Sequence, residues 1–239
     1  MSKALLFSLT LNALLLLVFF VLINKLGGLR YVFFKAKNRG VAAVYMHRKN
    51  MFENLPADST DVVFLGNSLT EKGEWHELFP GTDLKNRGIS GDMTDGILDR
   101  MPVVLRLRPK KLFLLIGVND LLFHRPAYIL ENYEKILEAI TRLSPSTQVF
   151  VQSLLPVNNN LRSNGVFNKD ITDVNLQLRA LAEAKGLTFI DLHAAFADAD
   201  GLLPEPYTQD GLHLNGEGYL RWREVLLPYV SEMNESREN

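Results

Sequence analysis

Cysteine is absent from this sequence, which excludes disulfide bonds, thiolate metal sites and a cysteine nucleophile but leaves the redox compartment open. An excess of charge of either sign is also missing, because 26 Lys and Arg side chains stand against 27 Asp and Glu. We therefore predict no nucleic-acid partner. Internal repeats and low-complexity tracts are absent as well, and the 239 residues are enough for a membrane segment plus one domain with a sizeable core.

One long run without charge stands near the amino terminus. Residues 4–23 are apolar apart from Ser8, Thr10 and Asn12. A run of about 20 such residues has the length of a membrane-spanning helix. A cleaved signal peptide would usually have a shorter apolar region, about 7–15 residues, followed by a small-x-small site. The sequence near Ile23 has no such site, so we predict an uncleaved single-pass anchor and a membrane localisation.

The orientation of this anchor has two alternatives. Only Lys3 precedes the apolar run, whereas five basic residues follow it within residues 25–39. The positive-inside rule then places the bulk of the protein in the cytoplasm. Large domains are exported largely regardless of flanking charge, so the opposite orientation stays open.

The rest of the chain divides by composition. Residues 26–60 mix basic and aromatic side chains. This mixture is typical of a segment that lies along an anionic membrane surface or, equally, of an amphipathic helix packed on the domain. The predicted divisions are a transmembrane anchor at 1–25, this linker at 26–60, the main domain at 61–232 and a polar tail at 233–239.

Strand and helix patterns alternate from residue 61 onward. The run VVFLG at 62–66 is typical of a strand buried on both faces of a parallel sheet. Five strands joined by right-handed helical crossovers predict a three-layer α/β/α domain with a doubly wound parallel sheet, for which we expect the flavodoxin-like strand order. Predicted strands cover 62–66, 84–87, 111–116, 147–153 and 187–191, and predicted helices cover 94–107, 126–143, 168–185 and 215–231.

Four loops are predicted at the carboxyl edge of this sheet, where open α/β sheets bind ligands. They are GNSL at 66–69, NRGISGDMT at 86–94, GVND at 117–120 and DGLHLN at 210–215. Taken singly, each loop has a structural explanation as a turn or a helix cap. Together they supply a hydroxyl nucleophile, backbone and amide donors for an oxyanion, a histidine base and a carboxylate that orients it. That set of groups is what acyl transfer requires.

These loops, in this order, resemble those of the Ser-Gly-Asn-His (GDSL-type) hydrolases over about residues 62–220. The sequence is most similar to the branch that contains the catalytic subunits of intracellular platelet-activating-factor acetylhydrolase and many bacterial sugar O-acetylesterases. That finer similarity is carried by EWHELF at 74–79, NRGISGD at 86–92, LLP at 154–156 and GLHLNGEGY at 211–219. The resemblance implies a serine esterase that works through an acyl-enzyme and needs no metal or organic cofactor.

The resemblance also implies a role for particular residues. Ser68 is the expected nucleophile, His213 its base and Asp210 the partner of that base. The N–H groups of Ser68 and Gly91 and the side-chain amide of Asn119 are expected to form the oxyanion hole.

The residues that bind the substrate are less defined, and three are candidates. Asn67 stands where the family usually has Asp, and we interpret it as a tolerated, loop-shaping variation because Asn keeps the acceptor oxygen. Leu121 begins an apolar triplet that suits an acyl pocket or the core. His124 follows Asn119-Asp120 closely and lies near the predicted crevice.

Polar connections at 71–75 and 157–165 favour a hydroxyl-rich leaving group over a fatty chain. We therefore expect a short-chain esterase whose substrates are acetyl esters of a small molecule or glycan. A lysophospholipase or thioesterase acting on lipid acyl esters is the alternative, because an anchor keeps the site close to lipid. A catalytically inactive, membrane-tethered binding module is the second alternative, and the complete set of site residues argues against it.

A metal site is the remaining alternative, since Asp210, His213, Asn119 and Asp120 carry groups that ligate divalent ions. We predict no metal, because a second histidine is not expected at this edge of the sheet. The sequence does not specify an oligomeric state.

Overall fold

The computed structural model describes residues 2–25 and 39–231. The chain divides into two units, residues 1–44 and 45–239. The first unit contains helix α1 (Lys3–Lys25). Within it, Leu5–Ile23 is long and apolar enough to cross a membrane, and none of this stretch is buried in the protein. A signal sequence can also contain an apolar helix at this position, so the observation establishes an apolar helix of membrane-spanning length.

The second unit is built on a five-stranded sheet in which every strand is parallel to its neighbours. The strand order is β2-β1-β3-β4-β5, which confirms the predicted α/β class and the flavodoxin-like order. The strands are β1 (Val62–Gly66), β2 (Leu84–Gly88), β3 (Lys111–Leu115), β4 (Gln148–Gln152) and β5 (Thr188–Ile190).

The long helices occur where the sequence predicted them, with ends that differ by two residues or fewer. Three short helices were not predicted, because four or five residues are too few to show a helical period. A further helix, α2, precedes the sheet and belongs to the second unit from Tyr45 onward. The helices are α2 (Arg39–Asn54), α3 (Ser68–Glu71), α4 (Trp75–Leu78), α5 (Thr94–Leu105), α6 (Pro126–Leu143), α7 (Asn168–Ala184), α8 (Leu192–Phe196) and α9 (Gly216–Ser231).

Apolar layers cover both faces of the sheet, and β1 shows how the sequence produces them. Val63 and Leu65 belong to the layer formed with α5, α6 and α7, whereas Val62 and Phe64 belong to the layer formed with α4, α8 and α9. Alternate residues of a strand point to opposite faces. Every residue of β1 is therefore buried, which explains why this strand is apolar without interruption.

The second layer contains a row of stacked aromatic rings across the central strands. The ring of Phe113 lies 5.0 Å from that of Phe64 and 4.5 Å from that of Phe150, centroid to centroid. Phe64 also stacks on Trp75 at 4.2 Å, and Trp222 of α9 meets Trp75 edge-on at 4.9 Å. Such pairs add to the free energy of burial, so this row ties α4 and α9 to the middle of the sheet.

We predict that Phe113→Ala lowers the free energy of unfolding by about 3–5 kcal/mol, because Phe113 is fully buried and its neighbours on both sides are held by the sheet. The measurement is denaturant unfolding of the full chain in detergent micelles. Leu176→Ala is the matched control, since that side chain is 70% exposed and its loss should change the free energy by about 0.5 kcal/mol or less. An equal effect of the two substitutions would contradict this account of the core.

Candidate active site

The hydroxyl of Ser68 is presented by a turn between β1 and α3. β1 ends at Gly66, and Ser68 is the first residue of α3. Asn67 caps that helix, because its Oδ1 accepts a hydrogen bond from the Leu69 N–H at 3.0 Å. Asn67 is completely buried, so its side chain shapes the turn and does not line the surface of the crevice.

Ser68, His213 and Asp210 form one hydrogen-bonded row, although Ser68 is far from the other two in sequence. The Ser68 Oγ lies 3.1 Å from His213 Nε2. On the other side of the ring, His213 Nδ1 lies 2.8 Å from Asp210 Oδ2. A carboxylate only accepts, so Nδ1 carries the hydrogen and Nε2 is left to accept from the serine hydroxyl.

The loop that carries His213 also fixes the charge on Asp210. Burial alone would raise the pKa of Asp210, but hydrogen bonds from the ring and backbone of His213 and from the Leu212 N–H outweigh it and lower this pKa to about 2. The two backbone groups donate to Asp210 Oδ1 at 2.8 Å and 3.0 Å. Asp210 is therefore ionised throughout the neutral range and stabilises a protonated imidazole beside it.

The glycine loop, residues 86–94, runs from the end of β2 to the start of α5 and approaches the end of β1. The Ile89 N–H donates to the Gly66 carbonyl at 3.1 Å. Gly91 has a φ of +78°, a backbone conformation in which a side chain would be strained. Asn119 donates from Nδ2 to the Asp92 carbonyl at 2.9 Å. The structure thus brings Asn119 against the loop that contains Gly91.

A buried polar network lies beneath Asn119 and fixes the first turn of α5. Burial raises the pKa of Asp120 to about 7, against the opposing effect of hydrogen bonds from Thr94. The Thr94 Oγ1 donates to Asp120 Oδ1 at 2.5 Å, and the Thr94 N–H donates to the same oxygen at 3.1 Å. Asn132 of α6 in turn donates to Thr94 Oγ1 at 2.8 Å. The start of α5 and the Asn119 loop are therefore held together.

The sequence analysis missed Arg100, which joins two of the loops. Its Nε pairs with Asp92 at 2.8 Å, and its Nη2 donates to the Gly66 carbonyl at 3.0 Å. Both side chains of the ion pair are almost fully buried, at 2% and 1% exposure. A signal was present, because Arg100 falls among Ile97 and Val104 on the apolar face of α5. A charged residue on such a face needs a buried partner.

The two other substrate-binding candidates lie on and after the 3₁₀ turn Asp120–Leu122. Leu121 is partly buried and packs against the apolar layer of α5, α6 and α7. The ring of His124 stacks on Tyr128 with the centroids 4.0 Å apart, and burial lowers the pKa of His124 against an opposing effect of Asp95. Contact of either residue with a substrate stays a prediction.

The groups considered as metal ligands make other contacts. Asp210 bonds to His213, Asp120 bonds to Thr94, and Asn119 bonds to the Asp92 carbonyl. Within residues 2–25 and 39–231, no group of three or more His, Asp or Glu side chains is placed to hold a metal ion.

Known proteins match this chain in sequence and in fold. The GDSL-like Lipase/Acylhydrolase family matches residues 64–221. The Platelet-activating factor acetylhydrolase IB subunit alpha1 of Rattus norvegicus is 30% identical over 173 residues, which are 68% of this chain and 73% of that protein. Among solved structures, a Streptococcus pneumonia protein provisionally described as a platelet activating factor has a TM-score of 0.77 at 26% identity, covering 83% of this chain and 98% of its own.

An acetyl xylan esterase shares the fold, with a TM-score of 0.62 at 20% identity over 71% of this chain and 99% of its own. The match to the family covers most of the second unit, including the four loops at the carboxyl edge of the sheet. This chain belongs to the GDSL-like lipase/acylhydrolase family and is a carboxylic-ester hydrolase.

Proposed function

We propose that this enzyme hydrolyses short acyl esters, above all acetyl esters of a hydroxyl-rich alcohol such as a carbohydrate, through an acyl-enzyme on Ser68. The observation that carries the proposal is the row in which Ser68 Oγ, the His213 ring and the Asp210 carboxylate are joined by contacts of 3.1 Å and 2.8 Å. A hydroxyl, a neutral imidazole and a carboxylate in this order are the groups that activate a serine for acyl transfer.

The first step forms the acyl-enzyme. His213 Nε2 takes the proton of Ser68 while Oγ attacks the ester carbonyl, and the resulting imidazolium is stabilised by Asp210. The tetrahedral intermediate then collapses, and the alcohol leaves with the proton from Nε2. In the second step a water molecule gives its proton to His213 and attacks the acyl carbonyl, which releases the carboxylic acid and restores Ser68.

The oxyanion of each tetrahedral intermediate needs donors that are already in place. The N–H groups of Ser68 and Gly91 and the side-chain amide of Asn119 are the proposed donors. An amide NH₂ has two hydrogens, and one of those on Asn119 already donates to the Asp92 carbonyl. That bond orients the amide before substrate arrives and leaves the second hydrogen for the oxyanion, which is the arrangement that lowers the barrier most.

The chain that follows β4 supports a polar leaving group. Its residues 160–163 are exposed, and three of the four are polar, namely Asn160, Arg162 and Ser163, beside Leu161. This segment borders the histidine loop, since the Asn158 N–H donates to the Gly211 carbonyl at 2.8 Å and Asn164 Nδ2 lies 3.4 Å from the Asp210 carbonyl. Amide groups beside the histidine loop suit an alcohol rich in hydroxyls better than a long apolar chain.

The names of two similar proteins support an acetyl group as the acyl part. The Rattus norvegicus relative is named as an acetylhydrolase, and one structure of the same fold is named as an acetyl xylan esterase. The two share the acetyl group and differ in the alcohol. We therefore assign the short acyl group from the names and the hydroxyl-rich alcohol from the polar border of the site.

Helix α1 favours a second candidate function. Its Leu5–Ile23 stretch has the length and composition of a membrane span, and we propose that it anchors the enzyme at a membrane. An ester of a lipid would then be a nearby substrate, as for a lysophospholipase or thioesterase. An inactive binding module would need neither the proton path through His213 nor a charged Asp210, and both are intact.

We predict that Ser68→Ala abolishes ester hydrolysis and covalent labelling by an organophosphonate, because no other group at this position can form the acyl-enzyme. The full chain in detergent micelles is the material, with mass spectrometry for the labelled peptide. Ser146→Ala is the matched control, since that serine is exposed between α6 and β4, at the amino end of the strand, and its loss should leave both activities unchanged. Retained labelling of the Ser68→Ala protein would remove Ser68 from the mechanism.

We predict that Asn119→Ala lowers kcat by about 10²–10³ with little change in KM, the usual consequence of deleting one oxyanion donor. Steady-state kinetics on p-nitrophenyl acetate give the two constants. Gln177→Ala serves as the control, because that amide is exposed on α7 and donates to the Asp173 carbonyl of the same helix. A change confined to KM would show that Asn119 binds the ground state instead.

We predict that kcat/KM for p-nitrophenyl esters is highest for acetate and falls by about tenfold or more at octanoate, because a site bordered by polar groups gains little from additional methylenes. Acetylated xylose and a lysophospholipid compare the two natural leaving-group classes directly. Ser68→Ala measures the background rate. A preference for octanoate, palmitate or the lysophospholipid would replace the carbohydrate proposal with the lipid one.

A further inference from the structure

The second half of helix α2 lies outside the segment matched by the family, residues 64–221, and yet packs on the loops of the active site. Phe52 is only 7% exposed. Two guanidinium groups lie over its ring, with the central carbon of Arg48 5.0 Å and that of Arg87 4.7 Å from the ring centroid. The apolar ring thus fixes the helix on β2, and it fixes the stem of Arg48 at the same time.

Arg48 reaches two elements that carry site residues. Its Nε donates to the carbonyl of Gly88, the last residue of β2, at 2.6 Å. The same atom lies 3.1 Å from Glu71 Oε1. Glu71 is the last residue of α3, the single-turn helix that Ser68 begins. One side chain of α2 therefore contacts both the glycine loop and the helix of the nucleophile.

Glu71 continues this connection to the proposed oxyanion hole. Its second oxygen, Oε2, accepts a hydrogen bond from the Ser90 N–H, and Ser90 directly precedes Gly91. The elements are also in close contact, since a Cβ on Gly88 would lie 2.2 Å from the Glu71 nitrogen. The path Arg48–Glu71–Ser90 links α2, the nucleophile helix and the glycine loop by charge-assisted hydrogen bonds, which are the stronger class.

Tyr45 contacts the same loop one turn earlier on α2. Its hydroxyl and Asp92 Oδ1 meet beside Gly96, where a Cβ would lie 2.9 Å from the first and 2.0 Å from the second. The two groups are hydrogen-bonded, and because burial raises the pKa of Tyr45 well above its ordinary value, the hydroxyl keeps its hydrogen and is the donor. Asp92 is also the partner of Arg100, and its carbonyl accepts the hydrogen bond that orients Asn119. Tyr45 thus fixes the position of Asp92, whose carbonyl accepts the hydrogen bond from Asn119.

From these contacts we infer that Tyr45 and Arg48 are positioning residues for the oxyanion hole, and that helix α2 contributes to turnover through these two side chains. The inference rests on the proposed role of Gly91 and Asn119 as oxyanion donors. Tyr45 acts through Asp92 on Asn119, and Arg48 acts through Glu71 on the loop of Gly91. Neither side chain needs to touch the substrate.

A purely structural role for α2 predicts a different result. Loss of packing would lower the melting temperature and the fraction of folded protein, but each folded molecule would keep its full turnover. Loss of positioning lowers the turnover of each folded molecule, because a displacement of about 1 Å in a catalytic group costs up to about 10² in rate. The turnover number per titrated active site separates the two roles.

The test uses the full chain in detergent micelles with two substitutions, Tyr45→Phe and Arg48→Met. The first removes one oxygen atom, and the second keeps an apolar stem against Phe52. Active sites are counted by the final extent of organophosphonate labelling at Ser68. We expect kcat per labelled site for p-nitrophenyl acetate to fall by about tenfold in each variant, with KM little changed. The rate of phosphonylation should fall in parallel, because the phosphonyl oxygen occupies the oxyanion hole.

Lys49→Met is the matched control on the same helix. Lys49 pairs with Asp99 at 2.7 Å and with Glu53 at 3.4 Å, and neither partner belongs to the loops of Ser68 or Gly91. This variant should keep kcat per labelled site within about twofold, as expected for the loss of partly exposed ion pairs.

Wild-type kcat per labelled site in Tyr45→Phe would overturn the inference for Tyr45, and the same result in Arg48→Met would overturn it for Arg48. A fall in Lys49→Met as large as in the other two would also overturn it. Wild-type protein that hydrolyses esters without labelling at Ser68 would instead defeat the proposed mechanism, and the inference with it. The two failures are distinguishable, because only the second appears before any substitution is made.

Discussion

The buried guanidinium of Arg100 sets the spacing on which the active site depends. It pairs with Asp92 in the glycine loop at 2.8 Å. It also donates at 3.0 Å to the carbonyl of Gly66, the last residue of β1, which stands two residues before Ser68. Removing one partner of such a buried pair costs about 3–5 kcal/mol, because the other charge is left without compensation. The serine turn and the glycine loop are therefore held in one arrangement, and Asn119 attaches to the carbonyl of Asp92 in that same loop.

Two aspartates at the site have pKa values that their environments shift in opposite directions, and their roles differ accordingly. Asp210 is partly exposed and accepts three hydrogen bonds from His213 and Leu212, so its pKa falls to about 2. A lowered pKa contributes stability above about pH 4, which is lost as the pH falls through about 2. Asp120 is fully buried and its pKa rises to about 7, so it contributes stability below about pH 4 that is lost as the pH rises through about 7. The first can stabilise an imidazolium at neutral pH, and the second serves to hold Thr94.

Much of the fold follows from local pattern. The run at 62–66 predicted β1 with its observed bounds, because both of its faces are covered and a glycine ends it. Pro126 in the first turn and the helical spacing of the apolar residues after it predicted α6 with its observed bounds. The proximity of Asp210 and His213 was also local, since they are three residues apart. The contact between Ser68 and His213 was predicted from the family resemblance alone. Local sequence patterns cannot predict a contact between residues that are 145 positions apart.

The sequence by itself determined the class of the fold, the apolar amino-terminal helix and the chemical groups available at the edge of the sheet, since these depend on composition and short-range spacing. Only the tertiary structure decided that Asn67 is buried under the serine turn, that Arg100 bridges two loops, and that Tyr45 and Arg48 reach the glycine loop. The sequence left open whether the segment around α2 lies on a membrane or packs on the domain, and the structure shows that Arg48 of this helix contacts Glu71 of α3. The physical reason is that these contacts join elements far apart in the chain, and their geometry is set by how the helices pack on the sheet.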